Sequence, residues 1–496
     1  MTKSNVLAKQ NTYNQLELSF LGVTPQPLPV KGYSLNSFIS IIGTVNPNTN
    51  TTLINNRVKI NRGTLLAKKP ASVNHDWKTN SSTGNEFLDY HIDKLNAFIG
   101  NSRKSKKVTA LLDCILANLV NANSTKSQLL YSRNTKDYES RTIIGIADYL
   151  EHEKLIVNVI GKANEYQGNS SYMTPSFKLM LELKKAKVRV MLKSDASLIE
   201  VRAKKVNGTK GRNLSIKRIK LKNKAEYDKS LVGVKAYNEL WLRHDAMLGD
   251  NYLIPFCTRI FNSSLDLGGR FYRASHLTIP KEHRQAITID GQQTVEPDFK
   301  ALHFCLLYAM KGIELDPITN DPYIINGYDR TTIKLASLVL LNSENISAFK
   351  ASVTKSGNPM NKMVMAQYEE NYALWLKRTS QGLSFDQPRK PNIAKGFIFG
   401  MPDFIQGEEL YKAMIEKHSA ISDLFGIENI GGKLQKQDSD IMSRALTKLN
   451  ELDIAGLPVH DSIRCKLEDE KVVIGVMKDA YFAEIGLKCA IDSVTL

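Results

Sequence analysis

Apolar and polar positions alternate along this chain in blocks whose period changes from helical to strand-like. VTALLDCILANLV, 108–120, has the i, i+3, i+4 spacing of a half-buried helix and follows a basic start at Arg103, Lys104, Lys106 and Lys107. SRTIIGIADYLEHEKL predicts a second amphipathic helix, LIVNVIG a strand, EYQGNSS a turn, SYMTPS a returning strand and FKLMLELKK a closing helix. KAYNELWLRHDAML, 235–248, reads as helical. Further on, QQTVEPDF predicts a strand ending at Asp298, and ALHFCLLYAM an apolar helix directly after it. YDRTTIKLASLVLLNSEN, 328–345, is a strong helical run. A long helix and a Gly/Pro-marked loop follow over 357–392, and 431–449 is a helix leading to GLPVHDSIRC, a strand–turn–strand with Asp461 at its tip.

Length divides this pattern into several domains, because 496 residues exceed one compact core. We assign 1–100 to a region of unclear fold rich in Asn, Thr and Ser, and 101–190 to a small helix–helix–hairpin unit. Residues 191–260 form a basic linker with helices, and 261–496 a larger domain of mixed helices and strands. No run of eighteen apolar residues occurs, which argues against a membrane span, and the N-terminus lacks a signal-peptide core. Five scattered cysteines without ligand spacing predict a reduced, cytoplasmic protein with neither disulfides nor a zinc site.

Charge narrows the partner. Sixty-seven Lys+Arg stand against 50 Asp+Glu, a net of +17, which favours a polyanion. Between Val201 and Lys224 ten of 24 residues are basic and none is acidic. Lys204, Lys205, Lys210, Arg212, Lys217 and Arg218 are therefore expected along a phosphate backbone.

Candidate chemistry rests on two carboxylates. Asp298, at a strand–helix junction, and Asp461, at a hairpin tip, are hard oxygen ligands that suit Mg²⁺ ions in an in-line phosphoryl displacement, with Glu296 in an assisting place. Arg330 and Lys334, at i and i+4, put two cations on one helical face, a pattern suited to a triphosphate.

These motifs fall in a recognisable order. GGRFYRASHLTIPKEHRQAITIDGQQTVEPDFKALH resembles a block of the family A DNA polymerases, in which a Gly-Arg motif and an Ile-Pro-x-x-x-Arg element precede an Asp-bearing strand. The Arg-x-x-x-Lys helix is similar to that family's fingers helix, and VHDS to its second catalytic motif. The 101–190 unit resembles a winged-helix module, whose second helix enters the major groove while the hairpin touches the backbone. The resemblance implies an α+β chain with a right-hand palm–fingers–thumb core and an N-terminal winged-helix-like domain. It implies two Mg²⁺ ions on Asp298 and Asp461, with Mn²⁺ as substitute. Arg330 and Lys334 bind the incoming phosphates, and Lys334 donates a proton to the leaving group. Arg270, His460 and Arg284 contact the primer–template. The partners implied are a DNA template, primed or unprimed, and nucleoside triphosphates.

Departures from the family bear on the sugar. His303 stands where the DNA enzymes carry a Glu that crowds the 2′ position, and Asn342 where the fingers helix carries a Tyr. Ser462 follows Asp461 where Glu is usual, as in the single-subunit phage and mitochondrial RNA polymerases. The fingers helix also starts only 32 residues after Asp298, a short interval. Against the RNA reading, the 28 residues from Arg270 to Asp298 are compact, as in the DNA enzymes. DNA synthesis is favoured; an RNA polymerase or primase is the alternative, and a non-catalytic replication initiator a second. No proofreading exonuclease constellation is present, and Asp113 reads as an isolated helix residue.

Overall fold

The computed structural model describes residues 71–79, 85–100, 105–203, 214, 219 and 222–493, apart from 126, 134, 136–137, 162, 165–166, 169–170, 187 and 381–387. All of them fall in one unit, Leu65–Leu496, of mixed helix and strand. Lys204, Lys205, Lys210, Arg212, Lys217 and Arg218 lie outside the described residues.

Strands β1 (Ala71–Ser72) and β2 (Trp77–Thr79) open the described chain, followed by α1 (Asn85–Phe98), α2 (Lys106–Ser124), β3 (Leu129–Tyr131) and α3 (Tyr138–His152). Strand β4 (Ile156–Val159) returns through β5 (Ser171–Pro175), pairing antiparallel, and Ser176 caps α4 (Phe177–Lys185) by accepting the Leu179 N–H. The sheet order is β1-β3-β5-β4. This matches the helix–helix–hairpin–helix pattern, but the unit begins before residue 101. His91 and Lys94 of α1 bond Tyr149 and Glu153 of α3, so α1 belongs to it. Asp113 accepts the Thr79 N–H at 2.8 Å, tying α2 to β2.

Between 191 and 260 the described residues include strands beside a single helix. Strand β6 (Val190–Leu192) pairs with β2, and β7 (Ile199–Arg202) runs parallel to a later strand. One helix, α5 (Lys224–Leu240), is described there, capped by Asn223. It stops at Leu240, whereas the helical pattern runs to 248. Residues 246–248 instead form β8 (Ala246–Leu248), which pairs with β9 (Asn251–Tyr252) and with Ile287–Ile289. Strand pairing in the larger sheet overrides the local helical period. Asn123 and Ser124 of α2 bond Asn251 and the Tyr252 carbonyl, joining the N-terminal unit to this sheet.

Next come β10 (Thr258–Asn262) and β11 (Gly268–Tyr272), a hairpin beside β7. After the short α6 (Lys281–Arg284), β12 (Ile287–Ile289), β13 (Gln292–Val295) and β14 (Asp298–Phe299) enter the main sheet. The single strand predicted to end at Asp298 is thus interrupted at Glu296-Pro297, where proline has no N–H to continue a ladder. Helix α7 (Leu302–Ala309) is apolar almost all round and buried. Then follow α8 (Arg330–Asn342), capped by Asp329, α9 (Ile346–Gly357), α10 (Pro359–Ser380), α11 (Gly407–Lys417) and α12 (Ile430–Glu451). The chain closes with β15 (Leu457–Val459), β16 (Ser462–Lys466), α13 (Glu470–Ile485) and β17 (Ile491–Asp492). The main sheet has the order β9-β8-β12-β13-β16-β14-β17, with β15 on β16. Helix α13 packs on β16, and α12 packs on α13, α5 and β11, burying Leu434, Ile441, Met442, Ala445 and Met477. No described helix is long and apolar enough to cross a membrane.

Candidate active site

A strand and the neighbouring hairpin turn carry the carboxylates. Asp298 pairs with Ser462 across the β14–β16 ladder, and the Phe299 N–H donates to the Asp461 carbonyl at 3.2 Å. The Ile463 N–H donates to the Pro297 carbonyl at 3.0 Å, closing the other side of the interruption. The β15–β16 hairpin turns on His460 and Asp461, as the sequence pattern predicts. His460 takes a left-handed φ of 59°, unusual for a non-glycine residue, and is exposed.

Asp298 Oδ1 is buried and has no hydrogen-bond partner. Burial and then the charge of Asp461 push the Asp298 pKa up to about 7, against the opposing pull of Lys281 and Lys334. Asp298 lines a cleft of about 250 Å³ with Lys281, Gln285, Tyr323, Arg330 and Lys334. Arg330 donates from Nε to Asp321 at 2.7 Å and lies 5.2 Å from the Tyr323 ring centroid; Lys334 Nζ lies 5.9 Å from the same ring. The predicted i, i+4 pair therefore faces the cleft that holds Asp298.

Other predicted residues go elsewhere. Glu296 lines the same cleft as Asp298 but is held in ion pairs. It accepts from Arg464 Nη2 at 2.7 Å, Arg284 Nη2 at 2.9 Å and Ser462 Oγ at 3.1 Å. Burial alone raises its pKa, but the Arg284 hydrogen bond and the charges of Arg464 and Arg284 outweigh it and hold the carboxyl below its ordinary value. Arg284 is thereby turned inward, its Nη1 donating to the Ile279 carbonyl at 3.2 Å. Asn342 is exposed at the end of α8, donating to the Leu338 carbonyl, and does not line the cleft. Arg270 and His303 meet at 3.2 Å, each bonded to Asp438. On α3, the predicted groove-reading helix, the exposed side chains include Glu139, Arg141, Glu151 and His152, and Arg133 forms a two-pronged pair with Asp148.

Sequence reasoning missed Asp438, Tyr323 and Lys281. Asp438 carried a signal: it occupies an apolar stripe, four residues after Leu434 and three before Ile441, where a charge demands a buried partner. Tyr323 and Lys281 lie in a connecting segment and a four-residue helix, without periodicity to mark them.

The described residues contain no group of three or more His, Cys, Asp or Glu placed to hold a metal. Two carboxylates, one with an unpartnered buried oxygen, nevertheless fit Mg²⁺, which commonly takes one or two protein carboxylates and completes its shell with water and substrate phosphates.

No known protein family and no curated protein matches this sequence. Among solved structures, the chain is similar to the POL domain of Pol1 from M. smegmatis, determined in complex with DNA primer-template and dNTP. The two share 10% identity over 59% of this chain, with a TM-score of 0.24, so the chain spans little more than half, 57%, of that structure's length. A likeness this slight carries no weight for fold or function.

Proposed function

We propose that this chain is a template-directed nucleotidyltransferase that extends a 3′-hydroxyl with nucleoside triphosphates, DNA synthesis being favoured. The observation that carries the reading is the buried, unpartnered carboxylate oxygen of Asp298 beside Asp461, in the cleft that Arg330 and Lys334 also line. In this reading the main sheet is the palm, α8 to α10 the fingers, α5 the thumb-side helix, and the N-terminal unit a winged-helix-like module.

Asp298 and Asp461 would hold two divalent ions, Mg²⁺ or Mn²⁺. Such ions, when bound, activate the attacking hydroxyl and neutralise charge on the transferred phosphoryl group and departing pyrophosphate. Arg330 and Lys334 hold the triphosphate. The Tyr323 ring supports both cations and limits how far they swing. Lys334 serves as the proton donor to the leaving pyrophosphate. Asp321 orients Arg330 through Nε, leaving its terminal nitrogens for phosphate oxygens.

Ribonucleotide synthesis is the alternative, and Ser462 favours it. Its hydroxyl donates to Glu296 from inside the sheet, so the position after Asp461 offers no third carboxylate. Titration with Mn²⁺, followed by loss of the free-ion EPR signal, tests the site. Wild type is expected to take up Mn²⁺ in the presence of a nucleoside triphosphate and primed template, and Asp298→Asn and Asp461→Ala to lose most of that uptake. Equal uptake by all three proteins refutes the assignment.

A further inference from the structure

The cleft that holds Asp298 is walled on one side by β17, the edge strand of the main sheet. Strand β17 runs antiparallel to β14, with Asp492 directly opposite Asp298 and Ile491 opposite Phe299. The Lys300 N–H donates to the Ala490 carbonyl at 3.0 Å, which carries the ladder one residue further. Residues directly opposite in such a ladder share a face, and a long side chain also reaches the diagonal position two residues along. Asp492 therefore stands on the Asp298 face, diagonal to Lys300, and Lys300 Nζ donates to Asp492 Oδ1 at 3.0 Å. Both side chains line the cleft together with Arg330 and Lys334.

The pair is built to exchange partners. The Lys300 and Asp492 side chains are 28 and 54% exposed, so water screens their attraction, and an ion pair of this kind contributes no more than about fivefold to an equilibrium. A carboxylate offers Lys300 a single negative charge. A triphosphate offers several, with oxygens that accept short charge-assisted hydrogen bonds. An anion held by Arg330 and Lys334 in this cleft thus competes with Asp492 for the Lys300 ammonium.

We propose that Asp492 is a latch on Lys300: with the cleft empty it holds the ammonium against β17, and it yields that ammonium to the phosphates of an entering triphosphate. The proposal rests on the triphosphate-binding reading above. It adds Lys300 to the residues that meet phosphate, with Asp492 as a positioning residue that acts through it. Isothermal titration calorimetry of the full chain with inorganic tripolyphosphate in Mg²⁺ buffer tests it, with wild type beside Lys300→Ala, Asp492→Asn and the double variant. Both side chains reach solvent, and neither change touches the backbone ladder. Lys300→Ala is expected to bind about tenfold more weakly, the value of one charge-assisted hydrogen bond. Asp492→Asn is expected to bind about two- to fivefold more tightly, the competing ion pair being gone. In the Lys300→Ala background the same Asp492→Asn change is expected to give no comparable gain, because the latch acts through Lys300. An equal gain in both backgrounds overturns the proposal, since Asp492 then acts as a bare charge repelling the anion. Lys300→Ala with wild-type affinity overturns it too, as does Asp492→Asn that binds no more tightly than wild type. Failure of wild type and Asp492→Asn alike to bind tripolyphosphate refutes the triphosphate site itself, a result distinct from any difference among the variants.

Discussion

Replacing Glu296 by Gln removes one charge from a cluster that joins α6, β13 and β16 beneath Asp298. The Glu296, Arg284 and Arg464 side chains are 12, 12 and 5% exposed. Glutamine keeps the shape but leaves two mostly buried guanidinium groups without their shared counter-ion. Breaking a buried pair by neutralising one partner costs roughly 3–5 kcal/mol. Arg464 also donates to Thr294 Oγ1 at 2.9 Å, a bond that survives, so the lower half of that range is expected. The loss has a pH signature. Glu296 titrates below its ordinary pKa in the folded protein, so its stabilising effect is full above the unfolded value of about 4.3 and disappears as pH falls through the folded value. Urea unfolding followed by far-UV circular dichroism at pH 7 should show Glu296→Gln less stable by about 3 kcal/mol, and the gap to wild type should narrow below pH 4. In a cycle with Arg284→Met, the double variant should lose less than the sum of the singles by about 0.5–3 kcal/mol. A Glu296→Gln protein within about 1 kcal/mol of wild type at pH 7 refutes the ionic account of the cluster.

Further outcomes follow from other places in the fold. Burial pushes the pKa of both His276 and His418 down to about 4, whereas an unfolded histidine titrates near 6.5. The unfolded chain therefore binds more protons between those values, and stability should fall as pH drops from about 6.5 toward 4, by up to about 1.4 kcal/mol per histidine per pH unit; an unchanged melting temperature from pH 7 to 5 contradicts this. Gly407 lies against α9, where an added Cβ would sit 2.1 Å from the Lys350 carbonyl oxygen, so Gly407→Ala should cost at least about 1–3 kcal/mol. Gly475, on α13 with nothing within 4 Å of its Cβ position, should instead give a gain of up to about 1 kcal/mol as Gly475→Ala; urea midpoints for the two should move in opposite directions. Lys334→Ala should lower kcat/KM for nucleoside triphosphate roughly 10- to 100-fold, the value of one charge-assisted hydrogen bond, as measured by steady-state incorporation; unchanged kcat/KM removes Lys334 from the phosphate site.

Local patterns made part of this site legible. Asp461 sits in a turn between two short apolar runs, and Asp298 where an apolar helix takes over from a strand, so the carboxylate positions follow from period changes alone. The i, i+4 spacing of Arg330 and Lys334 likewise survives into the structure because a helix of thirteen residues preserves it. What a linear pattern does not contain is which cation meets which buried anion. Arg284 and Lys281 lie on the same short helix, yet Glu296, twelve residues beyond Arg284, draws it inward while Lys281 lines the cleft. The helical period through 248 failed for the same kind of reason: β8 is made by pairing with β12, forty residues later, and not by its own propensity.

The most direct measurement is primer extension with dNTPs and, separately, rNTPs in Mg²⁺, on primed and unprimed templates, for wild type beside Asp298→Asn and Asp461→Ala. The account predicts incorporation by wild type, with dNTPs preferred on a primed template, and loss of it in both variants. Wild type that incorporates neither sugar on any template, or incorporation that survives Asp461→Ala, contradicts it.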